Sequence, residues 1–243
     1  MTPSDMPRPA HRALESRTVL IVDDHQLVGS SLEHGLRAED EDAHYHPTGS
    51  ARAVLETAAR YRPGLVVLDL DLGRDEDGRR IDGVELIPAL RRAGWRVLVL
   101  SSSSNAARIG SALAAGGYVW ISKNAPFPQL LLAVREARAG RSVLSGDQRE
   151  RLIGLHRKHE RDQHELTVKL ARLTPREHEV LAQLAEGKRA QAIASHFVVS
   201  VPTVRTQVRA VLGKLEVGSQ LEAVALFRGT ARHSVTQHSA SRH

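Results

Sequence analysis

The chain contains no cysteine, which excludes disulfides, thiolate metal sites and a cysteine nucleophile. No apolar run approaches the roughly 20 residues needed to cross a bilayer, so no membrane partner is expected. The opening residues, MTPSDMPRPAHRALESR, lack the apolar core of a secretory signal. Residues 1–16 therefore read as a disordered lead-in, and the cytoplasm is the expected location. A length of 243 residues leaves room for one to two domains and a sizeable core.

The net charge of +6 is unevenly placed. Residues 1–140 hold 17 Lys/Arg against 18 Asp/Glu, whereas residues 141–243 hold 17 against 10. A near-neutral front and a basic back fit a sensing module joined to a polyanion-binding module.

The basic half contains the segment LTPREHEVLAQLAEGKRAQAIASHFVVSVPTVRTQVRAVLGKL, from Leu173 to Leu215. It reads as three short helices. In the last, Val204, Val208, Val211, Leu212 and Leu215 form one buried stripe. Arg205, Thr206 and Arg209 lie on the opposite face, with Ser200 or Thr203 as the cap and Pro202 in the first turn. Leu173, Val180, Leu181, Leu184, Ile193 and Phe197 are expected to form the small core beneath. The segment resembles the helix-turn-helix of LuxR-type and NarL/FixJ-type regulators, from LTPRE-x-EVL through IA, S-x-x-TV and KL. The resemblance continues to Glu222-Ala223-Val224 and implies a DNA-binding domain over 173–228. Arg205, Thr206 and Arg209, with Thr203, would then face the major groove. Lys188, Arg189 and Lys214 are expected to contact phosphates rather than bases. The chain departs from the family at Ala190-Gln191-Ala192, at Gln207 and at Glu216. These changes leave the cationic face and obscure which DNA sequence it reads.

From Thr18 onward, apolar strand-like runs alternate with helix-like stretches. The expected strands are Thr18–Val22, Ala43–Tyr45, Leu65–Leu68, Arg96–Leu100 and Tyr118–Ile121, with amphipathic segments such as Val84–Arg92 and Pro128–Ala139 between them. The pattern predicts an α/β domain with a doubly wound, five-stranded parallel sheet, followed by a small all-α domain. Polar residues close the strands: Asp23-Asp24, Asp69, Ser101 and Lys123. Three carboxylates in one pocket repel unless a hard divalent cation bridges them, and Mg²⁺ suits such an oxygen site. An aspartate oxygen beside that ion can attack a phosphoryl group to form an acyl phosphate. A hydroxyl and an ammonium opposite can hold the new phosphoryl oxygens.

This arrangement resembles the receiver domain of bacterial two-component response regulators, over residues 17–140. The resemblance implies that Asp23, Asp24 and Asp69 hold Mg²⁺ and that Asp69 is the phosphoacceptor. It implies further that Ser101 is the switch hydroxyl, Lys123 the pocket lysine, and Trp120 an aromatic that reorients on phosphorylation. Asp71 stands where the family uses a backbone carbonyl on the metal. His25 is expected at the pocket edge. The segment after Leu72-Gly73 departs from the family, since RDEDGRRI intervenes before Asp82-Gly83. This longer loop, with Asp75, Glu76, Asp77, Arg79 and Arg80, is expected beside the pocket, as a partner-recognition lip or as a shield over Asp69.

Residues 141–172 read as a helical linker whose middle, His156 to Glu165, is polar throughout and too polar for a sustained coiled-coil seam. A dimerising helix is the alternative. His156, His159 and His164 have no carboxylate or further histidine in fixed register and read as solvated. Residues 229–243 read as a disordered tail.

Together these features predict a transcription factor rather than an enzyme. A sensor histidine kinase would phosphorylate Asp69, and the phosphoprotein would bind DNA sequence-specifically as a homodimer. One alternative keeps the DNA binding but makes the front half a pseudo-receiver controlled by a ligand or a protein. Another is a Mg²⁺-dependent phosphotransferase of the haloacid-dehalogenase kind, in which Asp71 would supply the general acid.

Overall fold

The computed structural model describes residues 18–237, so the expected lead-in and the final residues 238–243 lie outside the described residues. The chain divides into two compact units, residues 1–156 and 157–243.

In the first unit the strands, in chain order, are β1 (Val19–Asp23), β2 (Ala43–Pro47), β3 (Leu65–Asp69), β4 (Asp71–Arg74), β5 (Arg80–Asp82), β6 (Arg96–Ser101) and β7 (Val119–Ser122). Its helices are α1 (Gln26–Arg37), α2 (Ala51–Ala58), α3 (Gly83–Arg92), α4 (Ala106–Ala114) and α5 (Phe127–Arg138). Five strands form one parallel sheet in the order β2-β1-β3-β6-β7. A sheet covered on both faces needs apolar residues at successive positions rather than alternate ones. The runs VLIV, LVVL and VLVL supply them and are buried throughout. Leu20, Val66, Val97 and Val99 pack on one face with Val54, Ile87 and Leu90. On the other, Ile21, Val67 and Leu98 pack with Leu32, Leu36, Ala133 and Val134. Every strand of a parallel sheet ends at the same edge, so Asp23, Asp69 and Ser101 close three neighbouring strands, with Lys123 just after β7.

The long loop expected after Asp69 is instead a β-hairpin, β4 paired antiparallel with β5. Its composition is mostly charged, yet Leu72 and Ile81 are buried in the core formed with α2 and α3. The turn closes through Asp75, whose Oδ1 accepts from the Arg79 amide at 2.7 Å.

The helix α6 (Gly146–Ala171) occupies most of the expected linker. Its opening turns belong to the first unit: Arg149 donates to the carbonyls of Leu113, Gly117 and Tyr118 at 2.9, 2.8 and 3.0 Å. Its end belongs to the second unit, where Leu170 joins the core.

The second unit contains α7 (Pro175–Ala185), α8 (Ala190–Phe197), α9 (Val201–Leu215) and α10 (Gln220–Gln237). Thr174 and Glu177 form a reciprocal capping box at the start of α7. Val180, Ile193, Ala194, Val204 and Val208 make one core, and Leu181, Val211, Leu215 and Ala223 make its continuation. Helix α10 continues through Gln237, past the expected end of order at residue 228. Low hydrophobicity reads as a tail, but no proline interrupts 229–237, and one glycine, Gly229, costs only about 1 kcal/mol in a helix.

Candidate functional site

At the strand ends, Asp23 and Asp69 are buried while Asp24 stays exposed in the β1–α1 connection. Lys123 reaches in from behind β7, its Nζ 2.8 Å from Asp23 Oδ1 and 2.6 Å from Asp69 Oδ2. The His25 amide donates to Asp23 Oδ1 at 2.7 Å, and His25 Nδ1 lies 2.6 Å from Asp24 Oδ1. Asp23 Oδ2 is buried with no hydrogen-bond partner among the described residues. Ligand atoms of Asp23, Asp24, His25 and Asp69 all lie within 4.8 Å of one another. A buried carboxylate with an unpartnered oxygen, grouped within 4.8 Å of two further carboxylates, suits a hard divalent cation.

Burial pushes the Asp69 carboxyl up to about 6, against the opposing pull of Lys123. Burial also lowers the Lys123 ammonium, but its bonds to Asp23 and Asp69 outweigh this and leave it raised. The geometry is fixed from below by Gly83, which opens α3: a methyl group there would lie 2.1 Å from the Asp69 carbonyl oxygen. Any side chain at Gly83 would displace the backbone that presents Asp69.

Ser101 is buried at the end of β6, and its Oγ accepts from the Ser103 amide at 3.1 Å. Trp120 on β7 is half-buried, its Nε1 buried without a partner among the described residues. The Asp71 carboxylate turns to Arg80 and Arg108 rather than toward Asp69. The hairpin forms a wall of the pocket, because a methyl group at Gly73 would lie 3.2 Å from Asp24 Oδ2. Neither Arg108 nor the hairpin is evident from the sequence, since the partners of Arg108 lie 26 to 38 residues away.

In the second unit, α8 and α9 are joined by Val198-Val199-Ser200, and Ser200 caps α9 by accepting from the Thr203 amide at 3.2 Å. Val204, Val208, Val211 and Leu215 are buried, while Thr203, Arg205, Thr206 and Arg209 are exposed. Thr206 donates its hydroxyl to the Pro202 carbonyl at 3.1 Å and keeps acceptor capacity. Lys188 and Arg189 are exposed at the turn into α8, with Lys188 Nζ 2.8 Å from Glu186 Oε2 and 2.6 Å from Gln183 Oε1 on the surface. Lys214, expected at a phosphate, has its Nζ 2.6 Å from Glu177 Oε2, an ion pair within the unit that competes with such a contact. The Glu177 carboxylate that Lys214 meets, 37 residues earlier in the chain, is the one that also closes the capping box with Thr174.

The sequence profile of the response regulator receiver domain matches residues 19–135, and that of the bacterial regulatory proteins of the luxR family matches residues 171–227. The response regulator protein VraR of Staphylococcus aureus is 31% identical over 208 residues, covering 85% of this chain and 93% of its own. The transcriptional activator protein ExaE of Pseudomonas putida is 30% identical over 210 residues, covering 86% of this chain and 94% of its own. The nitrate/nitrite response regulator protein NarP of Escherichia coli is 29% identical over 214 residues, covering 86% and 93%. The chain belongs to the response regulators, with an N-terminal receiver domain and a C-terminal LuxR-type DNA-binding domain.

Proposed function

We propose that Asp69 accepts a phosphoryl group from a sensor histidine kinase and that its phosphorylation controls sequence-specific DNA binding by a homodimer of this cytoplasmic chain. The observation that carries this reading is the bridge of Lys123 between Asp23 and Asp69, next to the unpartnered oxygen of Asp23. In the transfer, an Asp69 carboxylate oxygen attacks phosphorus. The new O–P bond forms as the donor's bond to phosphorus breaks, and the donor leaves with that electron pair. Lys123 Nζ and Ser101 Oγ bind the phosphoryl oxygens on the protein side. Asp23, Asp24 and Asp69 would hold Mg²⁺, which supplies charge neutralisation for the phosphoryl group when bound. Phosphorylation exchanges the bond of Lys123 to the Asp69 carboxylate for one to the phosphoryl group, and Trp120 on β7, three residues before Lys123, has an unmet Nε1 that a rearrangement of this strand end can satisfy.

The second unit reads DNA through α9. Arg205 and Arg209, four residues apart on the exposed face, suit guanine edges, with Thr203 and Thr206 beside them. Lys188 and Arg189 suit phosphates. A haloacid-dehalogenase-type reaction would need Asp71 free as a general acid, and its ion pairs with Arg80 and Arg108 oppose that use.

The test is a binding titration on a duplex selected from a random pool, before and after treatment with acetyl phosphate and Mg²⁺. Affinity is expected to change at least fivefold for the wild type and not for Asp69→Asn. An equal change in both proteins would contradict control through Asp69, and the pseudo-receiver reading would replace it.

A further inference from the structure

Arg108 stands in the first turn of α4 and has no part in the chemistry above, yet its guanidinium reaches three separate places beside the pocket. Nη2 donates to the Leu70 carbonyl at 2.8 Å and lies 3.3 Å from Asp71 Oδ1. Nη1 lies 3.0 Å from Asp82 Oδ2, and Nη2 lies 3.1 Å from Asp82 Oδ1. Leu70 and Asp71 directly follow Asp69, while Asp82 ends the hairpin and caps α3 by accepting from the Val84 amide at 2.9 Å. One side chain thus joins the residues after Asp69, both ends of the hairpin and the first turn of α4. Its Nε is buried without a partner among the described residues, so the fork bonds offset the cost of an unmet donor. Arg80 grips Asp71 from the hairpin itself, so the Asp71 carboxylate faces two guanidinium groups.

We propose that Arg108 is a positioning residue of the acidic pocket, holding the backbone of residues 70–71 and the Asp71 carboxylate so that Asp23, Asp24 and Asp69 can take Mg²⁺. This rests on the reading of those three carboxylates as an ion site. The sign of the effect separates positioning from charge. Removing a nearby cation and baring Asp71 and Asp82 would strengthen Mg²⁺ binding by Coulomb attraction alone. Losing an outer-sphere partner that orients the site weakens metal binding, in metalloproteins by about 10- to 100-fold.

The experiment is calorimetric titration of the full chain with Mg²⁺ alone, on the wild type, Arg108→Ala, Arg108→Lys and Asp71→Asn, with thermal unfolding of each variant. Arg108→Ala is expected to weaken Mg²⁺ binding about tenfold or more. Arg108→Lys, a point charge without the fork, should fall between it and the wild type. Asp71→Asn, which leaves Arg108 on Leu70 and Asp82, should lose less than Arg108→Ala. An Arg108→Ala affinity equal to or tighter than the wild type, with or without a lowered unfolding temperature, would overturn the proposal. If Arg108→Ala does not fold, Arg108→Lys decides: a severalfold loss supports positioning, and wild-type affinity overturns it. A wild-type chain that binds no Mg²⁺ would remove the ion-site reading as well, whereas Mg²⁺ bound equally by wild type and variant removes this inference alone.

Discussion

Lys123 Nζ sits 2.6 Å from Asp69 Oδ2, so the proposed phosphoacceptor carries an ammonium partner on one oxygen while burial works against its charge. The balance of these two influences sets how the receiver responds to pH.

Burial raises the folded Asp69 carboxyl from 3.8 to about 6. The folded chain then keeps a proton that the unfolded chain releases across that window. Stability contributed at this position falls as pH rises from about 3.8 to 6 and is flat above it. In metal-free buffer, Asp69→Asn should therefore be more stable to unfolding than the wild type at pH 7, by at most about 3 kcal/mol. The gain should shrink as pH falls through 6. A gain that grows on acidification would contradict the assignment.

In the DNA-binding unit the sign reverses. The hydrogen bond from Lys214 holds the Glu177 carboxyl below its ordinary 4.5, with help from Thr174. A depressed carboxyl contributes stability that is complete above the unfolded value and lost as pH falls through the folded one. Glu177→Ala removes both the capping box and the ion pair and should cost on the order of 1–2 kcal/mol at pH 7. Thermal scans should find that this difference narrows below pH 4.5. Lys214→Ala should destabilise the unit while leaving the salt dependence of DNA binding unchanged.

Two helix ends carry side chains in left-handed backbone, Val198 at φ 55° after α8 and Glu216 at φ 59° after α9. A β-branched residue is strained there, and Val198 is 91% exposed, so little packing compensates. Val198→Gly should stabilise the unit by about 0.5–1 kcal/mol. Glu216→Gly should gain less, because Glu216 pairs with Lys169 at 2.8 Å. Chemical denaturation of both variants gives the comparison, and a loss of stability for Val198→Gly would contradict the account.

Arg205→Ala and Arg209→Ala should each weaken binding to a selected site by about 1–3 kcal/mol and to a scrambled site by less. Lys188→Ala should weaken both alike and reduce the salt slope by about one. Titrations on the two duplexes at several salt concentrations separate these outcomes. Equal losses on both sequences for the arginine changes would assign α9 to backbone contact alone.

The parallel sheet was legible because a strand covered on both faces leaves an unbroken apolar run, as in VLIV, LVVL and VLVL. The pocket was legible for a related reason: Asp23, Asp69 and Ser101 each terminate such a run. The hairpin was not, because only Leu72 and Ile81 face the core and the residues between them are mostly charged. Arg108 and Lys214 were illegible as partners of Asp82 and Glu177, which lie 26 and 37 residues away. Charge alone marks such residues as surface groups, and only the fold reveals which carboxylate each one meets.

Control of DNA binding through the receiver rests on Asp69 as the phosphoacceptor of a Mg²⁺-dependent pocket. Intact-mass measurement after incubation with acetyl phosphate tests this role most directly, on wild type with and without Mg²⁺ and on Asp69→Asn. One added phosphoryl group is expected on the wild type with Mg²⁺, and none without the ion or in the variant. A wild type that binds Mg²⁺ yet stays unmodified, or an Asp69→Asn variant that still gains the phosphoryl mass, would contradict it.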